Sequence, residues 1–223
     1  MNNWDFSVIP KFFSSFIPYA WMTVQITFFG LLIGLVLGLI FALLRLSKFK
    51  VLNYPAKLYI WFIRGTPLLL QLLFIYFGLT NIVLLDKLPA ACVALGIHNG
   101  AYIAEIFRGS IQSVDRGQRE AGMSIGMTQT KIMRRIILPQ AFKRAVPPLG
   151  NQFIIALKDS SLASAISVPE LLLHARQMGA ANFKLMEMLT IAAIYYLFMT
   201  TILTLLSTLI ERKLKVSDNK STI

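Results

Sequence analysis

Residues 12–44 carry no charge at all. A helix of roughly 20 apolar residues is enough to cross the hydrocarbon core of a bilayer. A longer uncharged run has to lie against lipid or protein along its whole length. Four more runs follow. Residues 65–85, 88–104 and 188–210 are uncharged, and 145–169 are uncharged except for Lys158 and Asp159. Soluble domains carry about 25% charged residues, whereas this chain of 223 residues carries 14%. The reading is an all-α integral membrane protein with five transmembrane helices, near 19–44, 60–81, 88–107, 147–168 and 188–210. Residues 1–214 form one membrane domain and 215–223 a cytoplasmic tail. The first run exceeds a signal-peptide core, and Met1–Phe6 offers only Asp5 as a charge, so no cleaved leader is expected.

Net charge of +12 would point to nucleic acid in a soluble protein. Here its distribution points to topology instead. Arg45, Lys48, Lys50 and Lys57 follow span 1. Arg108, Arg116, Arg119, Lys131, Arg134, Arg135, Lys143 and Arg144 follow span 3, and Arg212, Lys213, Lys215 and Lys220 follow span 5. Sixteen basic residues therefore fall on one side, against Lys11, Lys87, Arg176 and Lys184 on the other. By the positive-inside rule the N-terminus is outside and the C-terminus cytoplasmic. No nucleic-acid partner is expected.

The cytoplasmic connection 108–146 has a pattern of its own. Gly117–Ile125 reads as a short helix, Gly126 as a break and Thr128 as the N-cap of a second helix. Ile132, Met133, Ile136 and Ile137 form an apolar stripe opposite Lys131, Arg134 and Arg135. Pro139 should end or kink that helix, and Pro147–Pro148 mark the start of span 4. Such a segment could lie on anionic lipid, or it could be a rigid docking element for a cytoplasmic partner.

The run Glu120-Ala121-Gly122-x3-Gly126-x9-Ile136-x-Leu138-Pro139 resembles the EAA loop of bacterial ABC importer permeases, departing only in Gly122, where alanine is usual. Arg64-Gly65-Thr66-Pro67 at the head of span 2 resembles the RGTP signature of the polar amino-acid uptake subfamily. Ala101-Tyr102-Ile103-Ala104-Glu105 with Arg108, Pro147-Pro148-Leu149-Gly150-Asn151, and Leu157-Lys158-Asp159-Ser160-Ser161 are similar to its span-3 and span-4 signatures. The resemblance covers about residues 15–214. It implies the transmembrane domain of a type I ABC importer in a bacterial cytoplasmic membrane. It assigns Glu120, Ala121, Gly122 and Gly126 to a coupling helix seated on a P-loop ATP-binding subunit. It also implies a second permease subunit, homo- or heterodimeric, and an extracellular or periplasmic amino-acid-binding protein. ATP and magnesium belong to the ATPase, and this chain needs no cofactor of its own.

Ionisable groups at membrane depth cost roughly 2.5–3.5 kcal/mol each on insertion scales. Lys158 and Asp159 lie about thirteen residues into span 4, roughly 20 Å deep. His98 lies near the midplane of span 3, with Tyr102 and Glu105 on the same helix face. Neighbours in a regular helix diverge by about 100°, so Lys158 and Asp159 share a cavity only where the backbone is irregular. A break there would create a half-helix N-terminus, as at the substrate sites of many transporters. The candidate substrate-binding set is His98, Asn99, Tyr102, Lys158, Asp159, Ser160 and Ser161. The other reading is a Lys158–Asp159 pair that locks span 4, and a His98 hydrogen-bonded in the core. Glu105 and Arg108 read as an i,i+3 ion pair, Arg64 as an interfacial anchor at the mouth of span 2, and Gln71 as a pore-lining group. Gly30, Gly34 and Gly38 make a small-residue ridge for close packing, within the subunit or across a dimer. Trp4, Trp21, Tyr54, Tyr59 and Trp61 look like interfacial belt residues.

No G-x-x-x-x-G-K-[ST] run occurs in the sequence, so no P-loop. His98 and His174 are the only histidines and Cys92 the only cysteine, which leaves no metal-ligand spacing and no internal disulfide. With no nucleophile–base constellation either, the chain reads as a non-catalytic permease subunit. An autonomous secondary transporter or channel subunit is the alternative, but it would leave the helix–glycine–helix elbow without a role. A membrane scaffold would leave Lys158 and Asp159 without one. Arg64, Lys158, Asp159 and Glu105 sum to no net charge, which suits a neutral zwitterion. The Lys-Asp-Ser-Ser form after Pro-Leu-Gly-Asn-Gln looks most like permeases for glutamine or cystine.

Overall fold

The computed structural model describes residues 4–214, all-helical in architecture and without strands among them. The expected tail, 215–223, lies outside the described residues. Helix α1 spans Phe6–Leu46, α2 Lys50–Arg64, α3 Leu68–Gly78 and α4 Lys87–Gln112. Two short helices, α5 at Arg116–Ser124 and α6 at Gln129–Ile132, lead through a π turn into α7 at Leu138–Asp159. A 3₁₀ segment at Ser160–Ile166, α8 at Leu171–Asn182 and α9 at Leu185–Lys213 complete the chain. Among the described residues, α1, α4 and α9 are long and apolar enough to cross a membrane singly.

The second and fourth expected spans are not single helices. The α2–α3 pair bends by 106° at Gly65-Thr66-Pro67. Proline lacks an N–H and pushes the residue before it out of the helical region, so α2 stops at Arg64 and α3 restarts after Pro67. The pair covers 50–78 rather than 60–81. The fourth stretch starts earlier than expected, at Leu138, and changes from α to 3₁₀ at Ser160. Pro147 and Pro148 sit inside α7 and do not mark its beginning. Pro139 neither ends nor breaks the helix. In the π turn just before it, the Leu138 N–H bonds Met133 O, and the chain then continues as α7. Widening one turn absorbs the missing donor.

The centre of the fold is α1 against α4. Gly30 faces Leu95, Gly34 faces Asn99 and Gly96, and Gly38 faces Ile103. On α4, Gly96 faces Ile33 and Gly100 faces Leu37. The two helices therefore run parallel, turn for turn, with glycines on both sides. The small-residue ridge is spent within the subunit. Parallel neighbours require an intervening return, which α2–α3 supplies: Ile60 packs with Ala42 and Ala104, while Leu68 and Leu72 pack with Ala90, Ala91 and Leu95. Tyr59, expected in an interfacial belt, instead donates to Ile97 O at 2.6 Å and stacks on Phe41. Trp4, Trp21, Tyr54 and Trp61 are exposed as a belt requires.

Helix α7 runs antiparallel to α4. Its Arg144 bonds Ser113 O, and eight residues on, Gln152 bonds Asn99. Helix α9 returns beside it, with Ser207 against Gly150. One end of the bundle is tied by the start of α9 and the start of α1: Lys184 Nζ bonds Asp5 Oδ2 at 2.7 Å, and the Asp5 N–H donates to Glu187. The ammonium of Lys184, helped by Ser7, holds the Asp5 carboxyl below the usual carboxylate range.

Candidate functional site

Two regions of the fold carry polar chemistry: the broken helices at mid-bundle, and the elbow beyond α4.

At the break between α2 and α3, the carbonyls of Ile63 and Thr66 lose their helical partners. Gln71 Nε2 reaches both, at 2.8 and 3.0 Å, and Thr66 Oγ1 at 2.8 Å, its two N–H groups shared among the three acceptors. Its Oε1 meets His98 Nδ1 at 3.0 Å. Gln71 is thus buried and clamps the bend, not the pore-lining group expected. Arg64 ends α2 at this same break, so it sits inside a broken helix and not at the mouth of one. Its guanidinium carbon lies 5.2 Å from the centre of the Tyr102 ring, and the His98 ring centre lies 5.1 Å from that ring. Glu105 is held by Arg108 through two hydrogen bonds, 2.9 and 2.6 Å, while Arg64 stays 3.9 Å away. The i,i+3 pair expected from sequence is present. Arg64 adds a looser ion pair to the same carboxylate, and its guanidinium, 45% exposed, keeps an open side for an anion.

Asn99 and His98 part company. Asn99 is fully buried on the far face of α4, where its Nδ2 donates to Leu95 O and its Oδ1 accepts from Gln152 Nε2, both at 2.8 Å. The switch in α7 collects Lys158, Asp159, Ser160 and Ser161. It does not form the half-helix N-terminus expected there. The backbone tightens from α to 3₁₀ without freeing a row of N–H groups, and the hydroxyls of Ser160 and Ser161 bond back to Leu157 O and Lys158 O at 2.7 Å. Lys158 is exposed. Half-buried Asp159 faces Ile26, Leu68, Leu72 and Leu95, and no ion pair joins it to Lys158 among the described residues. The Lys158–Asp159 lock is therefore not formed. The structure gathers His98, Tyr102 and Arg64 at one spot, and Asp159 and Ser160 at the contact of α7 with α1, α3 and α4.

Sequence reading missed Glu170. It is fully buried, and its carboxylate accepts from the N–H groups of Leu172 and Leu173, both at 2.8 Å, and from Tyr196 OH at 2.9 Å. The signal was an acid directly before the Leu171–Leu173 run, an N-cap position. We expect Glu170→Ala to cost about 3–5 kcal/mol, since it orphans buried donors on α8 and α9; thermal unfolding of the purified protein checks it.

The elbow is self-supporting. Asp115 caps α5 through the Gly117 N–H at 2.6 Å, and Thr128 caps α6 through the Lys131 N–H. Ile132, Ile137, Val114 and Ala141 pack into one small core with Met133 and Ile136 at its edge. Most of the apolar stripe is consumed there, with Ile132 and Ile137 buried and Met133 and Ile136 half-buried, while Ile125 and Met123 outside it are exposed. Glu120 and Ala121 are exposed; Gly122 is buried, a Cβ on it meeting Ile132 Cγ1 at 2.8 Å. Its small size therefore serves packing inside the elbow, not an outward contact. Gly126 turns the chain at φ +76°, a conformation that costs other residues roughly 1–2 kcal/mol. Gly126→Val should reset the angle between α5 and α6 and impair coupling about tenfold while leaving the helices outside the elbow intact. ATPase stimulation in liposomes and circular dichroism together check this.

A family model described as "Binding-protein-dependent transport system inner membrane component" matches residues 34–216. The chain belongs to this family of importer permeases. The glutamine transport system permease protein GlnP of Escherichia coli (strain K12) is 40% identical to this permease over 95% of its chain and 98% of GlnP. The L-cystine transport system permease protein TcyB of Bacillus subtilis (strain 168) is 44% identical over 86% of this chain and 83% of TcyB. In structure, the permease superposes with a TM-score of 0.90 on a chain of an amino acid ABC transporter crystallised with histidines, at 40% identity over 95% and 99% of the two chains. A TM-score of 0.72 at 22% identity relates it in fold to the MetNI methionine ABC transporter in its inward-facing form. The permease is thus an all-helical, type I ABC importer transmembrane subunit.

Proposed function

We propose that this permease forms half of the path by which a polar or neutral amino acid, of the glutamine or cystine kind, is imported across a bacterial cytoplasmic membrane. Residues 1–214 act as one membrane unit with five crossings, two of them the broken pair 50–78 and the α-to-3₁₀ stretch 138–166. The alternation of direction from α1 to α9 supports this, as does the basic residue bias, with the N-terminus outside and the C-terminus in the cytoplasm. Relatives that transport glutamine, arginine and cystine support the substrate class. The chain itself is non-catalytic: a P-loop ATPase hydrolyses ATP, a binding protein delivers substrate from outside, and a second permease subunit completes the path.

The observation that carries this reading is the elbow. Its stripe residues Ile132 and Ile137 are spent on its own core, its angle is fixed by Gly126, and Glu120, Ala121, Met123 and Ile125 are left facing outward. A knob with its own core, a fixed angle and an exposed tip of Ile125 and Met123 beside Glu120 is suited to seating in a cleft of a protein partner. At the other site, Arg64 offers a guanidinium for a substrate carboxylate and His98, across the Tyr102 ring, an acceptor for the ammonium, with the Asp159 carboxylate a second station for the ammonium at the α7 switch. Lys158 and Ser161 lie on the open side of the α7 switch, while buried Ser160 bonds back to Leu157 O and Asn99 braces α4 against α7. Ligand drives such a machine only through unequal affinity for its two states, which is why a site straddling breaks in two helices suits it.

The test is reconstitution in liposomes with an ATP-binding subunit and a binding protein, followed by uptake of labelled glutamine, cystine, arginine and leucine. ATP-dependent uptake of glutamine or cystine is the expected result. Uptake or ion conductance by the permease alone, without an ATPase, overturns the proposal in favour of an autonomous transporter.

A further inference from the structure

We infer that Gln71 is a positioning residue that locks His98 in one tautomer, so that His98 Nε2 accepts a hydrogen bond from the ammonium of the transported amino acid. The inference rests on the amino-acid reading above for its ligand and on the break between α2 and α3 for its geometry.

Proton accounting at the break decides the tautomer. The Thr66 hydroxyl donates to Phe62 O at 2.9 Å, so its lone pairs face Gln71. Ile63 O, Thr66 O and Thr66 Oγ1 are all acceptors, and all three lie within 3.0 Å of Gln71 Nε2. The amide nitrogen of Gln71 is thereby fixed on the α2 side, and its oxygen points at α4. An amide oxygen only accepts. His98 Nδ1, 3.0 Å away, must therefore carry the proton. A neutral imidazole has one N–H and one bare nitrogen, and the hydrogen bond at one nitrogen sets the state of the other. Nε2 is then the bare acceptor.

That nitrogen is not used by the fold. No hydrogen bond engages it among the described residues, and it is not one of the sealed, partnerless atoms, of which His174 Nε2 is the example. The ring stands beside Tyr102, whose other neighbour is the Arg64 guanidinium. An acceptor and a cation thus flank one aromatic ring, the polarity required by the ammonium and carboxylate of one amino acid. With the proton on Nε2 instead, the ring would present N–H to an ammonium, donor against donor. The same amide that holds the bend also sets the polarity of the site, so the two are linked through one side chain.

The tautomer is read directly by nitrogen NMR of the reconstituted permease complex labelled with ¹⁵N-histidine, with His98 assigned by comparison with His98→Gln. Protonated Nδ1 and bare Nε2 are expected in the wild type, with the proton redistributing toward Nε2 in Gln71→Leu. Uptake by Gln71→Leu should show KM raised about tenfold with the maximal rate within about twofold, the loss of one hydrogen bond to a charged group. His98→Gln, whose amide oxygen can stand near the position of Nε2, should keep KM within about threefold, and His98→Asn, too short to reach, should raise it about tenfold. A wild-type proton on Nε2, or a tautomer unchanged in Gln71→Leu, overturns the inference. Equal KM values for His98→Gln and His98→Asn also overturn it, and that comparison stands if Gln71→Leu fails to assemble. Should the wild-type complex take up no amino acid, the functional reading fails, while the spectrum still decides the tautomer.

Discussion

Gly96→Leu is expected to abolish accumulation of folded permease. A Cβ on Gly96 would stand 2.6 Å from Ile33 Cβ and 3.1 Å from Gly30 O. Those distances are below normal contact before any further atom of a leucine is placed. The Ile33 backbone cannot yield, because the turns on either side are pinned by Gly30 against Leu95 and Gly34 against Asn99. Overpacking a tight core costs typically 1–3 kcal/mol where neighbours can shift. Here the clash includes backbone and falls on the central helix pair, so about 3 kcal/mol or more is expected, a large fraction of a membrane domain's net stability. Gel-filtration yield and melting temperature in detergent, compared with Gly109→Leu, check the result. No heavy atom lies within 4 Å of a Cβ at Gly109, so that variant should behave like the wild type. A well-folded Gly96→Leu protein would mean that α1 and α4 are not packed as described.

The second large effect is functional and leaves the fold untouched. Glu120→Lys reverses a charge on an exposed residue whose carboxylate makes no hydrogen bond or ion pair among the described residues. Stability should stay within about 0.5 kcal/mol, as for surface substitutions in general. If the elbow seats on an ATPase, the new like or misplaced charge at the interface should cost several kcal/mol of complementarity. Stimulation of ATP hydrolysis by loaded binding protein should then fall at least about tenfold. Unchanged melting with lost stimulation is the expected pair of results. Full stimulation in Glu120→Lys would remove Glu120 from the coupling contact.

Much of this was legible in the sequence, and the failures share one cause. The uncharged runs and the elbow's Gly126 break were readable because each rests on local pattern: hydrophobic length, and the residue type that most readily takes positive φ. Glu105 with Arg108 was readable because i and i+3 are neighbours on any helix. Gln71, Arg64 and Asn99 were misjudged, or left undecided, because their partners lie on other helices. Gln71 reaches His98 across a bend that composition does not locate, and Asn99 reaches Gln152, 53 positions away. The α7 switch was anticipated at the right residues with the wrong geometry. Serine favours both caps and back-bonding to carbonyls, and local preference does not choose between them. Gly122 was assigned outward because a small residue fits a partner's groove as well as it fits Ile132.

The parallel, turn-for-turn seating of α1 on α4 also limits how force travels through the molecule. The two helices cannot slide past each other, since a shift of one residue would bring Leu37 or Ile103 over a neighbour where a glycine now makes room. They can only tilt together, as one beam. Helix α4 is about 39 Å long at about 1.5 Å per residue, with Gly34 and Asn99 near its middle and the elbow fastened to its end. Pivoting the beam by about 10° about that middle carries each end roughly 3 Å in opposite directions. A push on the elbow would then be felt, undiminished and reversed, at the far rim of the path.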